Sequence, residues 1–525
     1  MSAPGRLMGE DMRITAREAV GESDFFEKAE RKFAELTQDL RGRQTQAMDF
    51  SELEKRIEKE GRELLRLMLE AHLNARGMGD IGPSIEGADN VLRTHRRIGG
   101  RQIRSIFGTI EFERLTYGGR GEESLFPKDA HLNLPAEQMH SHEFQRRVAL
   151  EVIKGSYGQA AESISEATGT PVFKQQVEFI TVQAGADFDA FYEQNLSPEK
   201  IEEAMKAPLL ILTTDAKGII MRKGDLRPAT RKKAEEQRHK LDKRLSPGEK
   251  KNSKRMAQVA SVYNIEPQIR TAQDFRRELS NLRDVDEEPR PKPLAKRVWA
   301  SVEKEPERVV QEMFEEAVRR DEKKKKTWVA LVDGCPRQIA RIETQAKVQG
   351  VDVTIVCDII HVLEYVWKAA WAFFSKGDLK AQEWVTERFI AILEGKSSLV
   401  AAGIRRSATN QKFCKAKREA IDECATYLLN KAPYLKYDQY LKLGFPIATG
   451  VIEGACRHLI KDRMDITGAR WSLHGAEAVL RLRSIKSSGD FTDYWAFHEN
   501  QEFIRNHKSK YRKPSVINKL HLKTV

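Results

Sequence analysis

The stretch LLILTTDAKGIIMRK (residues 209–223) decides the fold prediction. Its first six residues are a continuous run of strand-forming side chains that ends at Asp215, and Gly218 precedes a second apolar run. Two such runs around a short turn predict a β-hairpin. The alternating sequence MAQVASVYNI (256–265) predicts a third strand. Three strands that pair in chain order form an antiparallel meander.

Strands and helices alternate further along the chain. An amphipathic helix (307–326) precedes the buried strand TWVALV (327–332), a second helix (336–350) precedes the strand VDVTIVC (351–357), and a long helix (359–374) follows. Strands that are joined through helical crossovers lie parallel in one sheet. The order β-β-β-α-β-α-β-α therefore predicts an α/β protein with a mixed, five-stranded, ribonuclease H-like sheet.

Three predicted strands end in an acidic residue, namely Asp215, Asp333 and Asp358. Open α/β sheets bind ligands at the carboxyl ends of their strands, and carboxylates gathered there can hold Mg²⁺ ions for phosphoryl transfer. Each aspartate also has a simpler explanation, as a hairpin turn, an Asp-Gly turn or a helix cap. His361 lies three residues after Asp358, on the same side of the helix, and is either a phosphate contact or a structural histidine.

The rest of the chain sets the predicted domain boundaries. Residues 51–77 predict a helix, and residues 101–117 predict a β-hairpin. The predicted divisions are a polar N-terminal segment (1–50), a helical and β-hairpin region with a DNA-binding part (51–205), the first part of the core with a basic insertion (206–375, insertion 224–255), an α-helical insertion (376–446), the last part of the core with Glu453 (447–490) and a basic, solvated tail (491–525).

Residues 156–190 predict two helices joined by a short turn. Gly169 ends the first helix, and Pro171 occupies the first position of the second, where a missing N–H costs nothing. This pattern is typical of a helix-turn-helix whose second helix enters a major groove, and an ordinary αα-hairpin is the alternative. The early exposed residues of the second helix would be Lys174, Gln175 and Gln176.

The composition narrows the class of protein. Lys and Arg number 90 and Asp and Glu 78, which gives a net charge of +12 and favours a polyanionic partner. Five scattered cysteines without a CxxC pair argue against a disulfide framework or a cysteine zinc site. No secretory signal and no apolar stretch of about 18 residues is present, so we expect a cytoplasmic protein without a membrane partner. The basic stretch 227–255, with Arg231, Lys232 and Lys233, predicts phosphate contacts.

The C-terminal sequences IEGACRHLIKDRM (452–464) and TGARWSLHGAEAVLRLRS (467–484) resemble the glutamate-bearing block of DDE transposases from bacterial insertion sequences. The closest resemblance is to the ISKra-type family, and LILTTDAKG, WVALVDGCPRQ and DIIHVLEYVW resemble its other blocks. The resemblance implies a ribonuclease H-like catalytic core that is interrupted by an α-helical insertion and preceded by a mainly helical DNA-binding region.

The resemblance also assigns residues. It implies that Asp215, Asp333 and Glu453 are the catalytic carboxylates and the metal ligands, and that Asp358 and His361 match a Cys/Asp-x-x-His motif of Mutator-like and hAT-like transposases. The alternative for Glu453 is an ion pair with the residue four positions on. The triplet that begins Arg470-Trp471 matches an arginine-tryptophan block of the family. Trp471 is then either a residue that stacks on a displaced base or a core tryptophan.

The function implied is a transposase. It would bind terminal inverted repeats, cleave double-stranded DNA at the element ends and join the 3′-OH ends to target DNA with two Mg²⁺ ions, or Mn²⁺ in their place. We expect a homodimer or a higher homo-oligomer, because two ends must be paired, and a bacterial cytoplasmic location, at the nucleoid when DNA is bound. The alternatives are a ribonuclease H-like nuclease that does not transpose and an inactive, transposase-derived DNA-binding protein.

Overall fold

The computed structural model describes residues 24–136, 138–194, 198–236, 252–279, 290–466 and 468–515. The chain divides into two compact units. One unit comprises the described residues up to Ala184 together with those from Trp495 onward, and the other runs from Gly185 to Tyr494. Among the described residues, no helix is both long enough and apolar enough to cross a membrane.

The first unit contains helices and two small antiparallel sheets. Its helices are α1 (Glu27–Leu40), α2 (Arg43–Gln46), α3 (Phe50–Ala75), α4 (Pro127–His131), α5 (His142–Lys154), α6 (Tyr157–Thr168) and α7 (Lys174–Ala184). Its strands are β1 (Ile85–Glu86), β2 (Leu92–Arg93), β3 (His95–Ser105) and β4 (Gly108–Gly118). The predicted hairpin is confirmed as β3 and β4, which pair antiparallel along their whole length.

Helices α5, α6 and α7 pack against one another in this unit. Ser156 caps α6 in a capping box with Gln159, and Gly169 ends α6 in the left-handed conformation with φ of 64°. The second helix begins at Lys174 and not at Pro171, so the predicted start of this helix was three residues too early. Two helices separated by this short turn are therefore present.

The second unit is built on a five-stranded mixed sheet. Its strands are β5 (Leu209–Ile220), β6 (Lys254–Ile265), β7 (Leu294–Ser301), β8 (Thr327–Val332) and β9 (Val353–Cys357), in the spatial order β7-β6-β5-β8-β9. Strands β5, β6 and β7 are antiparallel neighbours, whereas β5, β8 and β9 are parallel. This mixed α/β arrangement is compatible with a ribonuclease H-like core.

One strand prediction was wrong. Residues 209–220 form one continuous strand and not a hairpin, because β6 pairs with β5 through both predicted breaks, with Asp215 facing Val259 and Gly218 facing Met256. The third strand of the meander is β7, which the sequence reading missed. The sheet therefore has five strands, as predicted, but residues 209–220 supply one of them and not two, and β7 is the fifth.

The second unit also contains helices, the last of which extends past Tyr494 into the first unit. The first group is α8 (Phe188–Glu193), α9 (Pro198–Met205), α10 (Pro228–Glu236), α11 (Ala272–Leu279), α12 (Pro306–Arg320), α13 (Pro336–Gln349) and α14 (Ile359–Phe373). Four helices follow, namely α15 (Leu379–Leu393), α16 (Ser397–Asn410), α17 (Lys415–Asn430) and α18 (Tyr437–Lys442). The last are α19 (Gly450–Ala455), a π-helical turn (Cys456–Lys461), α20 (Asp462–Met464), α21 (Leu473–Ser487) and α22 (Phe491–Asn506).

The C-terminal region differs from the prediction of a solvated tail. Residues 491–506 form helix α22, in which the side chains of Tyr494 and Trp495 are buried. The aromatic residues of this stretch therefore supply apolar packing that stabilises a helix. The basic composition of the stretch had instead predicted a solvated tail.

Candidate active site

The three predicted strand-end aspartates lie in one row across the sheet. Thr213 of β5 faces Leu331 of β8, and Val332 of β8 faces Cys357 of β9. Continuing these registers places Asp215, Asp333 and Asp358 side by side: Asp333 and Asp358 directly follow β8 and β9, whereas Asp215 lies within β5, which continues to Ile220. This edge of the sheet is where an α/β protein binds ligands.

Asp215 contacts the helical segment that carries Glu453. The Sγ of Cys456 lies 3.2 Å from Oδ2 of Asp215. Cys456 is buried and begins the π-helical turn that follows α19. Burial and the neighbouring Asp215 raise the pKa of this thiol, so the thiol stays protonated and donates a hydrogen bond to the carboxylate. Glu453, three residues earlier in α19, is thereby held near β5.

Asp333 lies on a tight turn that another helix covers. Its Oδ1 accepts a hydrogen bond from the backbone N–H of Cys335, 2.8 Å away, and the next residue, Gly334, has φ of 90°. The hydroxyl of Tyr427 in α17 donates to the carbonyl oxygen of Asp333 at 3.3 Å. The Tyr427 ring stacks on Tyr365 of α14 with a centroid distance of 4.1 Å. Two helices thus fix the turn that presents Asp333.

Asp358 is fully buried and uses both carboxylate oxygens within the protein. Oδ1 accepts from the backbone N–H groups of Ile360 (3.1 Å) and Thr449 (3.3 Å). Oδ2 accepts from the hydroxyl of Thr449 (2.7 Å) and contacts Nδ1 of His361 (2.9 Å). Burial alone would raise the pKa of Asp358, but the bonds from His361 and Thr449 hold it below its usual value. Asp358 is therefore an ionised helix cap with four donors.

His361 carries a proton at neutral pH. Its hydrogen bond to Asp358 raises the pKa of the imidazole to about 9, and Glu364 and Asp333 add to this effect. Ligand atoms of Asp358, His361 and Glu453 all lie within 4.8 Å of one another, so these residues form a group that could hold a metal ion. The proton on His361 and the four donors on Asp358 work against these two as ligands.

Glu453 is exposed and faces Thr449 one helical turn before it. The Thr449 hydroxyl lies 3.2 Å from Oε1 of Glu453 and 2.7 Å from Oδ2 of Asp358. A hydroxyl has one proton, and the shorter distance assigns it to Asp358. The Glu453 oxygen then faces a lone pair of Thr449, an arrangement that a cation would stabilise.

The predicted DNA-contacting residues are spread over the chain. Lys174 and Gln175 are exposed and Gln176 is half-buried at the start of α7. Lys232 and Lys233 are exposed on α10, whereas the half-buried Arg231 donates to the backbone carbonyl of Gly224. Residues 237–251 of the predicted basic stretch lie outside the described residues.

Trp471 has the environment of a core residue. It is 6 % exposed, its indole N–H donates to the carbonyl of Met464 at 3.1 Å, and the guanidinium of Arg463 lies over its ring. Its backbone N–H donates a hydrogen bond to the carbonyl oxygen of Ile220, the last residue of β5, at 3.0 Å. A buried ring has no open face for a displaced base, so we assign Trp471 a structural role. The neighbouring Arg470 is exposed.

Three contact residues at this edge were not selected from the sequence, namely Thr449, Cys456 and Tyr427. Thr449 and Cys456 lie four residues before and three residues after Glu453, so helical spacing gave a signal for both. Tyr427 is separated from Asp333 by 94 residues, and no local pattern connects them.

Comparisons with known proteins add a weak structural similarity. No protein-family model and no curated protein matches the chain. A solved structure of the Drosophila P element transposase strand transfer complex is similar at a TM-score of 0.20 and 9 % identity, covering 76 % of this chain and 86 % of that chain. A TM-score this low does not establish a common fold.

Proposed function

We propose that this chain is a DDE-type DNA transposase of a bacterial insertion sequence, resembling the ISKra-type family. It binds the element ends, cleaves DNA and joins the 3′-OH ends to target DNA. The observation that carries the proposal is the row of Asp215, Asp333 and Asp358 on three parallel strands, with Glu453 joined to it through Cys456 and Thr449. This edge provides several carboxylates in one place, as metal-assisted phosphoryl transfer requires.

We infer that this edge takes a pair of divalent cations, although the group whose ligand atoms lie within 4.8 Å of one another here is Asp358, His361 and Glu453. Asp215, Asp333 and Glu453 would hold these cations, since Oδ2 of Asp333 makes no hydrogen bond to any described residue and Glu453 is exposed. Mg²⁺, or Mn²⁺ in its place, suits these hard oxygen ligands. When bound, the ions would activate the attacking oxygen and stabilise the leaving 3′ oxygen. Asp358 is better suited to orient His361 and Thr449 than to bind a metal.

His361 gives this edge a positive charge beside the acids. Its Nδ1 is held by Asp358, and the imidazolium places a second N–H away from that bond. A cation in this position is suited to a phosphate oxygen of the DNA strand. We therefore assign His361 to substrate positioning and Asp358 to holding His361.

DNA binding would involve two further regions. Lys174, Gln175 and Gln176 at the start of α7 would contact the ends, and Lys232 and Lys233 on α10 would contact phosphates. Arg470, exposed after α20, is a further candidate for a phosphate contact. Two element ends must meet for joining, so the active form would be a homodimer or a higher homo-oligomer.

The test uses a plasmid that carries the gene with its native flanking DNA. Purified protein should cleave this DNA with Mg²⁺ or Mn²⁺ and should join the cleaved ends to a second plasmid, whereas EDTA should stop both steps. Asp215→Asn should abolish cleavage. Asp352→Asn is the matched control, because Asp352 is an exposed aspartate at the opposite end of β9.

Two results would contradict the proposal. Equal cleavage in EDTA would reject metal-assisted chemistry. Metal-dependent cleavage without any joined product would assign the chain to nucleases that do not transpose.

A further inference from the structure

The first unit contains a cavity of about 550 Å³ beside α7. It is lined by residues 135, 136 and 138–140, by one side of α7 and by the end of α22. Its volume is in the range of small-ligand sites. The proposed metal chemistry does not use this cavity, whereas Gln175 and Gln176, which we assign to end binding, line it.

The polar lining of the cavity is made of carboxamides. Four glutamine side chains and one asparagine side chain contribute to it, namely Gln138, Gln175, Gln176, Gln183 and Asn506. A carboxamide carries both hydrogen-bond donors and acceptors, although Oε1 of Gln176 already accepts from the N–H of Phe173 and Nδ2 of Asn506 already donates to Glu502. The charged lining residues are Glu502 and Arg505, which pair with each other at 2.5 Å. The lining is therefore neutral and rich in hydrogen-bonding groups.

Two polar atoms of the lining lack partners among the described residues. They are Nε2 of His140 and Oε1 of Gln138. His140 is only 6 % exposed, so its ring nitrogen has no access to bulk water that could compensate. A buried polar atom without a hydrogen bond is costly, and an ordered water or a ligand that reaches such an atom recovers this cost.

An aromatic ring completes the cavity. Phe179 of α7 lines it and is 55 % exposed, so its ring is accessible from the solvent. Met139 and Ile180 add further apolar surface. An aromatic ring beside neutral carboxamides is suited to a flat, neutral molecule, which would stack one of its faces on Phe179 and form hydrogen bonds along its own edge.

We propose that this cavity binds an unpaired nucleobase of a DNA strand. This rests on the proposed function, since it takes DNA as the partner. The base would stack on Phe179, and its edge would meet the carboxamides. Adenine is one match, because the oxygen and the NH2 group of a carboxamide can form two bonds with the amino group and the adjacent ring nitrogen of adenine. The exposed Lys174, the neighbour of the lining residue Gln175, would contact the phosphates attached to this base.

The test measures binding of fluorescent 12-nucleotide single strands by anisotropy, with EDTA present throughout. One strand is oligo-dA, and the other has the same backbone with abasic residues. Wild-type protein should bind oligo-dA about tenfold more tightly or better, which is the size of one base–aromatic stack. Phe179→Ala should remove this preference while thermal melting stays unchanged.

Phe173→Ala is the matched control. Phe173 is 67 % exposed immediately before α7 but does not line the cavity, so its variant should keep the preference for oligo-dA. Equal binding of both strands by the wild type, or an unaltered preference in Phe179→Ala, would overturn the proposal. Competition by adenosine monophosphate without a preference between the strands would also overturn it, in favour of a free nucleotide. Because EDTA removes divalent metal ions from this binding assay, a negative result would reject the base-binding cavity without bearing on the metal-dependent cleavage test.

Discussion

The Sγ of Cys456 lies 3.2 Å from Oδ2 of Asp215 and joins two residues that are 241 positions apart in the chain. The contact connects the central strand β5 to the helical segment that carries Glu453. Because Cys456 is buried and its thiol keeps its proton, the contact is a hydrogen bond to a carboxylate and not a repulsion between two anions. It holds the Asp215 carboxylate against the helical segment that carries Glu453.

Cys456→Ala should therefore lower metal-dependent cleavage without abolishing it. Hydrogen bonds to charged groups contribute about 1.5–3 kcal/mol, so we expect a loss of about tenfold or more and a need for higher Mg²⁺. Cys456→Ser should restore most of the activity, since a hydroxyl can donate to the same oxygen. The measurement is the cleavage rate against Mg²⁺ concentration. Cys424→Ala, at a buried cysteine of α17, controls for lost packing.

Asp333 and Asp358 should respond differently to replacement by asparagine. Asp333→Asn removes charge from an oxygen that the proposed metals need, so cleavage should be lost while the melting temperature stays near that of the wild type. Asp358→Asn replaces one of two accepting oxygens with an amide that faces donors, so unfolding should become easier by about 2 kcal/mol and cleavage should fall less.

Parallel cleavage assays and thermal melts of both variants distinguish these roles. If Asp358→Asn is inactive with normal stability and Asp333→Asn is nearly normal, the metal-ligand assignment must be exchanged between them. The structure favours the present assignment because four donors already occupy the Asp358 oxygens.

The sheet shows where sequence patterns were informative and where they were not. The apolar strands β8 and β9 were predicted at nearly their observed bounds, because both are buried runs between clear helices. Strand β7 was missed because Arg297 interrupts its apolar pattern. That arginine is buried and pairs with Glu316 of α12 at 2.6 Å, so its charge is compensated by a residue that no local pattern connects to it.

In the candidate site, too, local patterns were informative and long-range contacts could not be predicted. Asp215, Asp333 and Asp358 could be selected because each follows an apolar run, and adjacent parallel strands then bring them together. The role of each acid could not be read from the sequence, since it depends on the long-range contacts of Asp358 with Thr449 and of Asp215 with Cys456. Whether a carboxylate already accepts all its hydrogen bonds within the protein depends on the fold, and a sequence motif does not reveal it.

Gly334→Ala should damage the turn that presents Asp333. The φ of 90° is unfavourable for any residue with a Cβ, and an added Cβ would lie 2.9 Å from the hydroxyl oxygen of Tyr427. We expect a loss of stability of about 1–2 kcal/mol from the backbone conformation alone, together with a strong loss of cleavage. Gly403→Ala should instead be neutral or stabilising, because nothing lies within 4 Å of its Cβ position in α16.

Tyr427→Phe tests the same turn from the other side. It removes the hydroxyl that donates to the Asp333 carbonyl but keeps the ring that stacks on Tyr365. Cleavage should fall only a few-fold, and the double variant with Gly334→Ala should recover part of the stability lost by Gly334→Ala, as thermal melts can show. A double variant no more stable than Gly334→Ala would mean that backbone strain, and not the close contact, dominates.

Acid should destabilise the first unit through its buried histidines. Burial lowers the pKa of His507 to about 4, and nearby Arg101, Lys510 and His142 act in the same direction. The unfolded state, with a pKa near 6.5, then binds a proton that the folded state does not, so stability is lost as the pH falls from about 6.5 to about 4. A difference of this size corresponds to about 3 kcal/mol for one histidine.

Urea unfolding at pH 7.5 and pH 5 measures this effect. His507→Gln should weaken the pH dependence, because the replacement side chain does not titrate. His95→Gln should leave it unchanged, since His95 is exposed on β3. The same pH dependence in His507→Gln as in the wild type would assign the acid sensitivity to other groups.

The last prediction concerns helix α10 and the salt dependence of DNA binding. Lys232 and Lys233 are exposed on this helix, whereas Arg231 donates to the backbone carbonyl of Gly224. Each phosphate contact contributes about 0.9 to the slope of log K against log salt concentration. Replacing both lysines by glutamine should therefore flatten the slope by up to about 1.8, and adding Arg231→Gln should change stability more than slope. The matched control is Lys323→Gln with Lys325→Gln, two exposed lysines that precede β8 at the sheet edge opposite the acids. An equal slope in the α10 variant and in this control would place α10 away from the bound DNA.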